Sequence, residues 1–366
     1  MYTITLVAGA RPNFMKIAPI LKELKIARDN GAALSYRLVH TGQHYDKNMS
    51  QSFFEQLSIP EPNTNLGCAG GTQAEQTASI MLAFENELQK HRTDLVIVVG
   101  DVTSTMACTL VAKKYDIVVA HVEGGIRSRD LTMPEEINRI VTDSIADYFF
   151  TTSELANRNL REEGKSKDQL FLVGNTMIDT LIANQSHFFK PIVWDKLKLE
   201  NNSFLVLTMH RPANVDQEQK LEAMLNEILV QSRELPIVFP AHPRTQKILS
   251  SLNIKNNRLH IVEPLSYLEF NYLVKNAKAV ITDSGGITEE ASIMNVPCLT
   301  LRDNTERPET ITHGTNELVG TSPKDLKKYM DLLFNNQWKS GNDIPFWDGK
   351  AAKRIVDVIT NKLIKN

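Results

Sequence analysis

Cysteine is scarce in this sequence: Cys68, Cys108 and Cys298 are the three present in 366 residues, odd in number and without C-x-x-C spacing. That excludes a disulfide framework and a cysteine-based zinc site, and a reducing cytoplasm is the expected setting. A dominant charge sign is missing too, because 41 Lys and Arg face 43 Asp and Glu for a formal net charge of −2. Neither nucleic acid nor a membrane surface is therefore an expected partner, and any cationic pocket must be local. No apolar run approaches the roughly 20 residues needed to span a bilayer. The first residues lead straight into an apolar strand at 3–8, without the basic and apolar regions of a signal peptide.

What is present is a steady alternation of short apolar, β-branched runs with helix-length segments. At 366 residues the chain exceeds one ordinary core, which predicts two domains. In the first half, strands are expected at 3–8, 36–41, 95–99, 117–122, 148–152 and 170–173, with a helix at 48–57 among those between them. The rhythm breaks over 184–203 and restarts with strands at 204–208, 237–240, 259–262, 279–282 and 298–301. This pattern predicts an α/β fold of two Rossmann-like, doubly wound parallel sheets. The domains are expected over 1–173 and 174–350, followed by an amphipathic C-terminal helix over 351–366.

In such sheets ligands sit at the carboxyl ends of the strands. Two neighbouring strands end there in acids, Asp101 after Gly100 and Glu123 before Gly124-Gly125, while Glu135-Glu136 open the next helix after Pro134. Three acids in one constellation suit acid–base chemistry, although singly Asp101 and Glu135 read equally well as helix N-caps. Arg11 and Lys16 stand in the turn and first turns of a helix, where an anion is favoured; Lys16 alone reads as a surface charge.

In the second half, Asp283-Ser284-Gly285-Gly286 joins a strand to a helix. The glycines allow close approach, and the helix N–H groups with the Ser284 hydroxyl suit phosphate oxygens. Glu290, about one turn on, suits a ribose diol. A capped tight turn is the plainer reading, and His210, Arg211 and Arg307 at other strand ends weigh against it as cations converging on a pyrophosphate. His40 and His44 are four apart but fall across a strand end, which argues against a metal pair.

The segments GARPNFMKIAP (9–19), TGQH (41–44), GDVTST (100–105), HVEGGIRS (121–128), MPEEINR (133–139), GNTMID (174–179), MHRPANVD (209–216), TDSGGITEE (282–290) and RDNTERPE (302–309) occur in this order along nearly the whole chain. Together they resemble the non-hydrolysing UDP-N-acetylglucosamine 2-epimerases. The resemblance implies two domains facing a central cleft, as in B-type glycosyltransferases, with the C-terminal helix packing back on the first domain. It implies Asp101, Glu123 and Glu135 as catalytic carboxylates, with His210 in the active site. Substrate binding would fall to Arg11, Lys16, Arg139, Phe270, Ser284, Gly285, Gly286, Glu290 and Arg307. Of these, 284–286 would hold the diphosphate, Glu290 the ribose, Phe270 the uracil region and Arg307 the nucleotide sugar.

The implied reaction is reversible C2 epimerisation of UDP-N-acetylglucosamine to UDP-N-acetylmannosamine. UDP is eliminated to give a 2-acetamidoglucal and then adds back, supplying surface polysaccharide precursors. No metal or redox cofactor is implied, and the expected assembly is a homodimer in the cytoplasm. The alternatives are an epimerase for a related N-acetylated UDP-sugar, a hydrolysing 2-epimerase, a B-type glycosyltransferase and a nucleotide-sugar sensor without turnover. Three departures bear on sugar choice and regulation: Asn13 replaces a glutamate of the first motif, Pro212-Ala213 replace an Arg-Glu pair after His210-Arg211, and Gly124 replaces an alanine.

Overall fold

The computed structural model describes residues 1–42, 54, 56–57, 59–241, 243–252, 254 and 256–364. His44 lies outside these residues, as does most of the helix expected at 48–57. The chain divides into two compact units, Met1–Ala183 with Pro345–Asn366, and Asn184–Ile344.

The first unit carries strands β1 (Tyr2–Ala8), β2 (Leu34–His40), β3 (Thr64–Asn65), β4 (Leu95–Val99), β5 (Val118–Val122), β6 (Tyr148–Thr151) and β7 (Leu170–Leu172). They form one parallel sheet in the order β3-β2-β1-β4-β5-β6-β7. β4 reads LVIVV with all five residues buried, as a strand covered on both faces must. The order in which strands are added to the sheet reverses between β1 and β4, so the crevice for a ligand opens beyond their carboxyl ends. Asp101 lies just past the end of β4 and Glu123 just past the end of β5, with Val99 and Val122 in register.

The second unit repeats the plan. β8 (Leu205–Thr208), β9 (Ile237–Pro240), β10 (Leu259–Val262), β11 (Ala279–Thr282), β12 (Cys298–Thr300) and β13 (Asn316–Leu318) run parallel in the order β10-β9-β8-β11-β12-β13. Alternate side chains serve opposite faces: Leu205, Leu207 and Ile281 join one apolar cluster, while Phe204, Val206 and Val280 join another. The reversal here falls between β8 and β11, whose ends carry His210 and Asp283.

The units divide after Ala183 and not at residue 173, because the helix Thr176–Asn184 is fastened to the first unit. Thr180 Oγ1 donates to Met15 O at 2.6 Å, and the Asp179 carboxylate accepts the N–H groups of Ala351 and Ala352 at 3.1 and 2.7 Å. Asp179 thus caps the C-terminal helix Ala351–Val358, which continues as a π-helical turn, Ile359–Leu363. Ala351, Ala352, Ile355, Val356 and Ile359 are its buried face.

Candidate active site

In the first unit, the loop after β1 is built on Asn13. Its Oδ1 accepts from the N–H groups of Gly9 and Ala10, each at 3.0 Å, and its Nδ2 donates to Val99 O at 3.2 Å. An amide offers both acceptor and donor where a carboxylate has only acceptors, so this residue ties the end of β1 to the end of β4. One turn along the helix Arg11–Asp29, Lys16 reaches Glu123: Nζ and Oε2 are 2.6 Å apart and both side chains are buried. Glu123 holds a left-handed φ of 71°, a conformation that costs a non-glycine residue about 1–3 kcal/mol and is concentrated at functional sites. Arg11 is half-buried, and burial lowers its guanidinium from the ordinary arginine value.

Asp101 meets Arg139, with Oδ2 2.6 Å from Nη1, and its carbonyl accepts from Asn138 Nδ2 at 2.8 Å. Arg139 Nε also donates to Glu136 Oε2 at 2.9 Å, while its buried Nη2 has no hydrogen bond among the described residues. Glu136 in turn accepts the N–H groups of Ser128 and Arg129. Burial alone would raise this carboxyl, but those two amides and Arg139 hold it below the usual range. The adjacent acids therefore divide: Glu136 braces the loop, whereas Glu135 is exposed in the first turn of the helix Pro134–Ile145 and makes no hydrogen bond or ion pair among the described residues.

In the second unit, the organising group is Asp283, buried at the end of β11. It accepts from the backbone N–H groups of His210 and Arg211 and from Asn214 Nδ2, and its Oδ1 is 2.7 Å from His210 Nδ1. Burial would raise it, but the His210 contacts and the two neighbouring donors keep it below the usual range. Proline at 212 starts the short helix Pro212–Val215, which delivers Asn214 to this carboxylate.

Ser284 is the N-cap of the helix Gly285–Ile293, and its side chain makes no capping bond to that helix. The first-turn N–H groups thus lack a side-chain cap from Ser284, the arrangement in which a helix start accepts an anion. A Cβ added at Gly285 would stand 2.8 Å from Glu306 Oε1, so a larger residue there would have to displace that carboxylate. Glu306 is ionised by Arg302, 2.6 Å away, and although burial opposes this its pKa falls to about 2.

Arg307 pairs through Nε with Glu289 Oε1, and both are buried. Glu290 is also buried, and Tyr267 donates its hydroxyl to Oε1 at 2.8 Å. Burial lifts Glu290 to about 7, with Tyr267 opposing and the neighbouring Glu289 charge adding to the rise. Phe270 is half-buried against the cluster of Leu273, Val274 and Val280.

The expected residues thus group by unit: Arg11, Lys16, Asp101, Glu123, Glu135 and Arg139 on the first, His210, Phe270, Ser284, Gly285, Gly286, Glu290 and Arg307 on the second. Sequence reasoning gave no role to Asn214 or the pair His121–Asp143, and it named Asn13 only as a departure from the family motif and Asp283 only as part of a turn. The one available signal was the position of Asp283 directly after an apolar strand. His40 is buried edge-on against Phe14, and no group of three His, Cys, Asp or Glu side chains able to hold a metal occurs among the described residues. No helix of the described residues is long and apolar enough to cross a membrane.

A family model described as UDP-N-acetylglucosamine 2-epimerase matches residues 25–360. A Methanocaldococcus jannaschii protein named UDP-N-acetylglucosamine 2-epimerase is 40% identical over 375 residues, covering 98% of each chain. A Pseudomonas aeruginosa protein named UDP-2,3-diacetamido-2,3-dideoxy-D-glucuronate 2-epimerase is 38% identical over 97% of this chain and 99% of its own. The crystal structure of the M. jannaschii UDP-GlcNAc 2-epimerase in complex with UDP-GlcNAc and UDP matches at a TM-score of 0.88 and 40% identity, over 98% of this chain and 99% of that one.

Proposed function

The chain belongs to the UDP-N-acetylglucosamine 2-epimerase family, and we propose that it interconverts UDP-N-acetylglucosamine and UDP-N-acetylmannosamine, acting in the cytoplasm as a homodimer. The observation that carries this reading is the pair of carboxylates at adjacent strand ends, Glu123 paired with Lys16 and Asp101 with Arg139.

A carboxylate of the first unit takes the C2 proton of the sugar. The C2–H electrons form the C1–C2 double bond as the C1–O bond breaks, leaving 2-acetamidoglucal and UDP. UDP then adds back through its β-phosphate oxygen to C1, and a second acid delivers a proton to the opposite face of C2. Because that C2 proton is weakly acidic, stabilising the departing diphosphate must supply much of the barrier lowering. In the second unit that task falls to the Ser284–Gly285–Gly286 turn, with His210 and Arg307 as hydrogen-bond donors and Glu290 on the ribose. Arg11, Lys16 and Arg139 assist from the first unit, Phe270 flanks the uracil, and Glu135, exposed and ionisable, is the third acid. The three free, buried cysteines agree with a reducing compartment.

Incubation with UDP-N-acetylglucosamine in D2O tests the reading. Deuterium at C2 together with a mixed UDP-sugar pool supports it; accumulating UDP and free N-acetylmannosamine would replace it with a hydrolytic reaction. The P. aeruginosa relative favours a second substrate, a 2,3-diacetamido uronic acid on UDP. Exchange seen with that sugar alone would move the assignment there.

A further inference from the structure

His121, two residues before Glu123, is enclosed completely, with no exposed surface. Its Nε2 lies 2.7 Å from Gly100 O, and its Nδ1 lies 2.6 Å from Asp143 Oδ1. A carbonyl oxygen can only accept, so Nε2 must carry a proton. Asp143 is committed as an acceptor too: its Oδ2 takes the Gly125 N–H at 2.9 Å and Arg127 Nη1 at 2.7 Å. The buried Arg127 guanidinium on Oδ2 makes Asp143 one half of an ion pair; burial opposes ionisation, and His121, then Arg127 and the Gly125 N–H, hold the carboxyl below its usual range. Nδ1 therefore faces a second pure acceptor. A neutral imidazole has one N–H, and either tautomer would leave two lone pairs opposed at less than 3 Å.

We infer that His121 is an imidazolium carrying protons on both ring nitrogens, and that it is a positioning residue for the turn bearing Asp101. Charges alternate along a chain from it: His121, Asp143, Arg127, then Glu163, which takes Arg127 Nε at 2.8 Å. The Lys16–Glu123 pair lies against Gly100, where an added Cβ would stand 3.1 Å from Lys16 Nζ and 3.9 Å from Glu123 Oε2. Gly124 belongs to the same arrangement, because a Cβ there would meet Phe149 at 2.9 Å and Asp143 Oδ1 at 3.2 Å. Gly100 is thus clamped at both ends of its peptide: its N–H donates to Val122 O at 3.0 Å, and its carbonyl takes a charge-assisted bond from His121. With Gly100 fixed at φ +65°, the next residue, Asp101, has its backbone direction set before Arg139 engages the side chain.

The kinetic consequence rests on the epimerase reading; the protonation of the ring does not. Ring-15N-histidine labelling of the full chain at neutral pH, with His121 assigned by its absence from His121→Gln, is expected to show two protonated nitrogens on one ring. A bare, pyridine-type nitrogen on His121 would overturn the inference. Asp143→Asn is expected to leave the ring with a single proton, and an unchanged doubly protonated ring in that variant would count against the network as its cause. For His121→Gln we expect kcat to fall about a hundredfold, with KM for the UDP-sugar within about threefold, since UDP is assigned to the second unit. A wild-type kcat, or a change confined to KM, would remove the positioning role. If the variants do not fold, triple-resonance assignment of the His121 ring in the unaltered protein still decides the protonation. Absent turnover with both candidate sugars would overturn the proposed function while leaving that spectrum unaffected.

Discussion

His210 and Asp283 stand 73 residues apart in sequence, yet Nδ1 of the one lies 2.7 Å from Oδ1 of the other, and the same carboxylate accepts the His210 backbone N–H at 3.0 Å. Side chain and main chain of one histidine are thus fixed by one buried acid. The Asp takes the Nδ1 side, so Nε2 is the nitrogen available to a ligand, and the half-exposed ring can reach one. Asp283→Asn is expected to lower turnover by at least about 10²-fold. It should also destabilise the unit by on the order of 1–3 kcal/mol, because buried N–H groups lose an acceptor. Denaturant unfolding and C2 deuterium exchange check the two parts separately, and undiminished exchange would remove Asp283 from the site.

Lys16 and Glu123 form a buried pair whose partners depend on each other. Removing one charge, as in Lys16→Met or Glu123→Gln, strands the other and is expected to cost about 3–5 kcal/mol. The double variant Lys16→Met with Glu123→Leu should recover much of that loss. Exchange at C2 should be absent in all three. A single variant as stable as the wild type would show that the pair is not desolvated as described.

Gly100 and Gly164 both hold positive φ, 65° and 89°, but a Cβ at Gly164 meets nothing within 4 Å. Alanine at either position therefore carries the same backbone cost, roughly 1–2 kcal/mol. At Gly100 the added methyl would crowd Lys16 Nζ at 3.1 Å while touching Asn13 Nδ2 at an ordinary 3.5 Å. Gly100→Ala should abolish exchange while Gly164→Ala keeps it. Equal activity in the two would argue that the Gly100 contacts do not shape the site.

Glu290 titrates near 7 because it is buried, with Tyr267 donation opposing the rise. If its carboxylate accepts from a ribose diol, the ionised form is the binding form. UDP affinity should then fall as pH drops below about 7, by up to about tenfold per unit. Tyr267→Phe removes the opposing donor and should move this fall to higher pH, and Glu290→Gln should bind weakly with no such dependence. Calorimetric titration with UDP between about pH 5.5 and 8.5 distinguishes these outcomes.

Asp179, which caps the C-terminal helix, is raised to about 6, chiefly by burial. A folded value above the unfolded one means the native state binds more protons between them. Its stabilising contribution is therefore present below about pH 4 and lost as pH rises through about 6, on the order of 3 kcal/mol at most. Compared with wild type, Asp179→Asn should lack this slope in the exchange protection of the Ala351 and Ala352 amides. Parallel pH profiles in the two proteins would contradict the assignment.

The inner strands of both sheets were legible in the chain because a parallel, doubly covered strand must be apolar on both faces, as Leu95–Val99 and Ala279–Thr282 are, whereas the short polar edge strands Thr64–Asn65 and Asn316–Leu318 were not expected. The acids after β4 and β5 and the Gly-Gly turn after β11 were legible for a related reason: chemistry at a strand end sits within a few residues of the strand that presents it. Glu135 and Glu136 mark the limit. They are identical in sequence terms, and helix phase alone turns one to water and the other under Ser128 and Arg129.

The order of residues by itself determined the fold class, the strand ends and the family, since each is written in local patterns of hydrophobicity and turn chemistry. Tertiary structure alone decided which charge meets which: Lys16 with Glu123 across 107 residues, His121 with Asp143 across 22, Asp101 with Arg139 across 38. Such pairings depend on strand register and helix packing, and a buried charge is stable only where its partner arrives within hydrogen-bond distance.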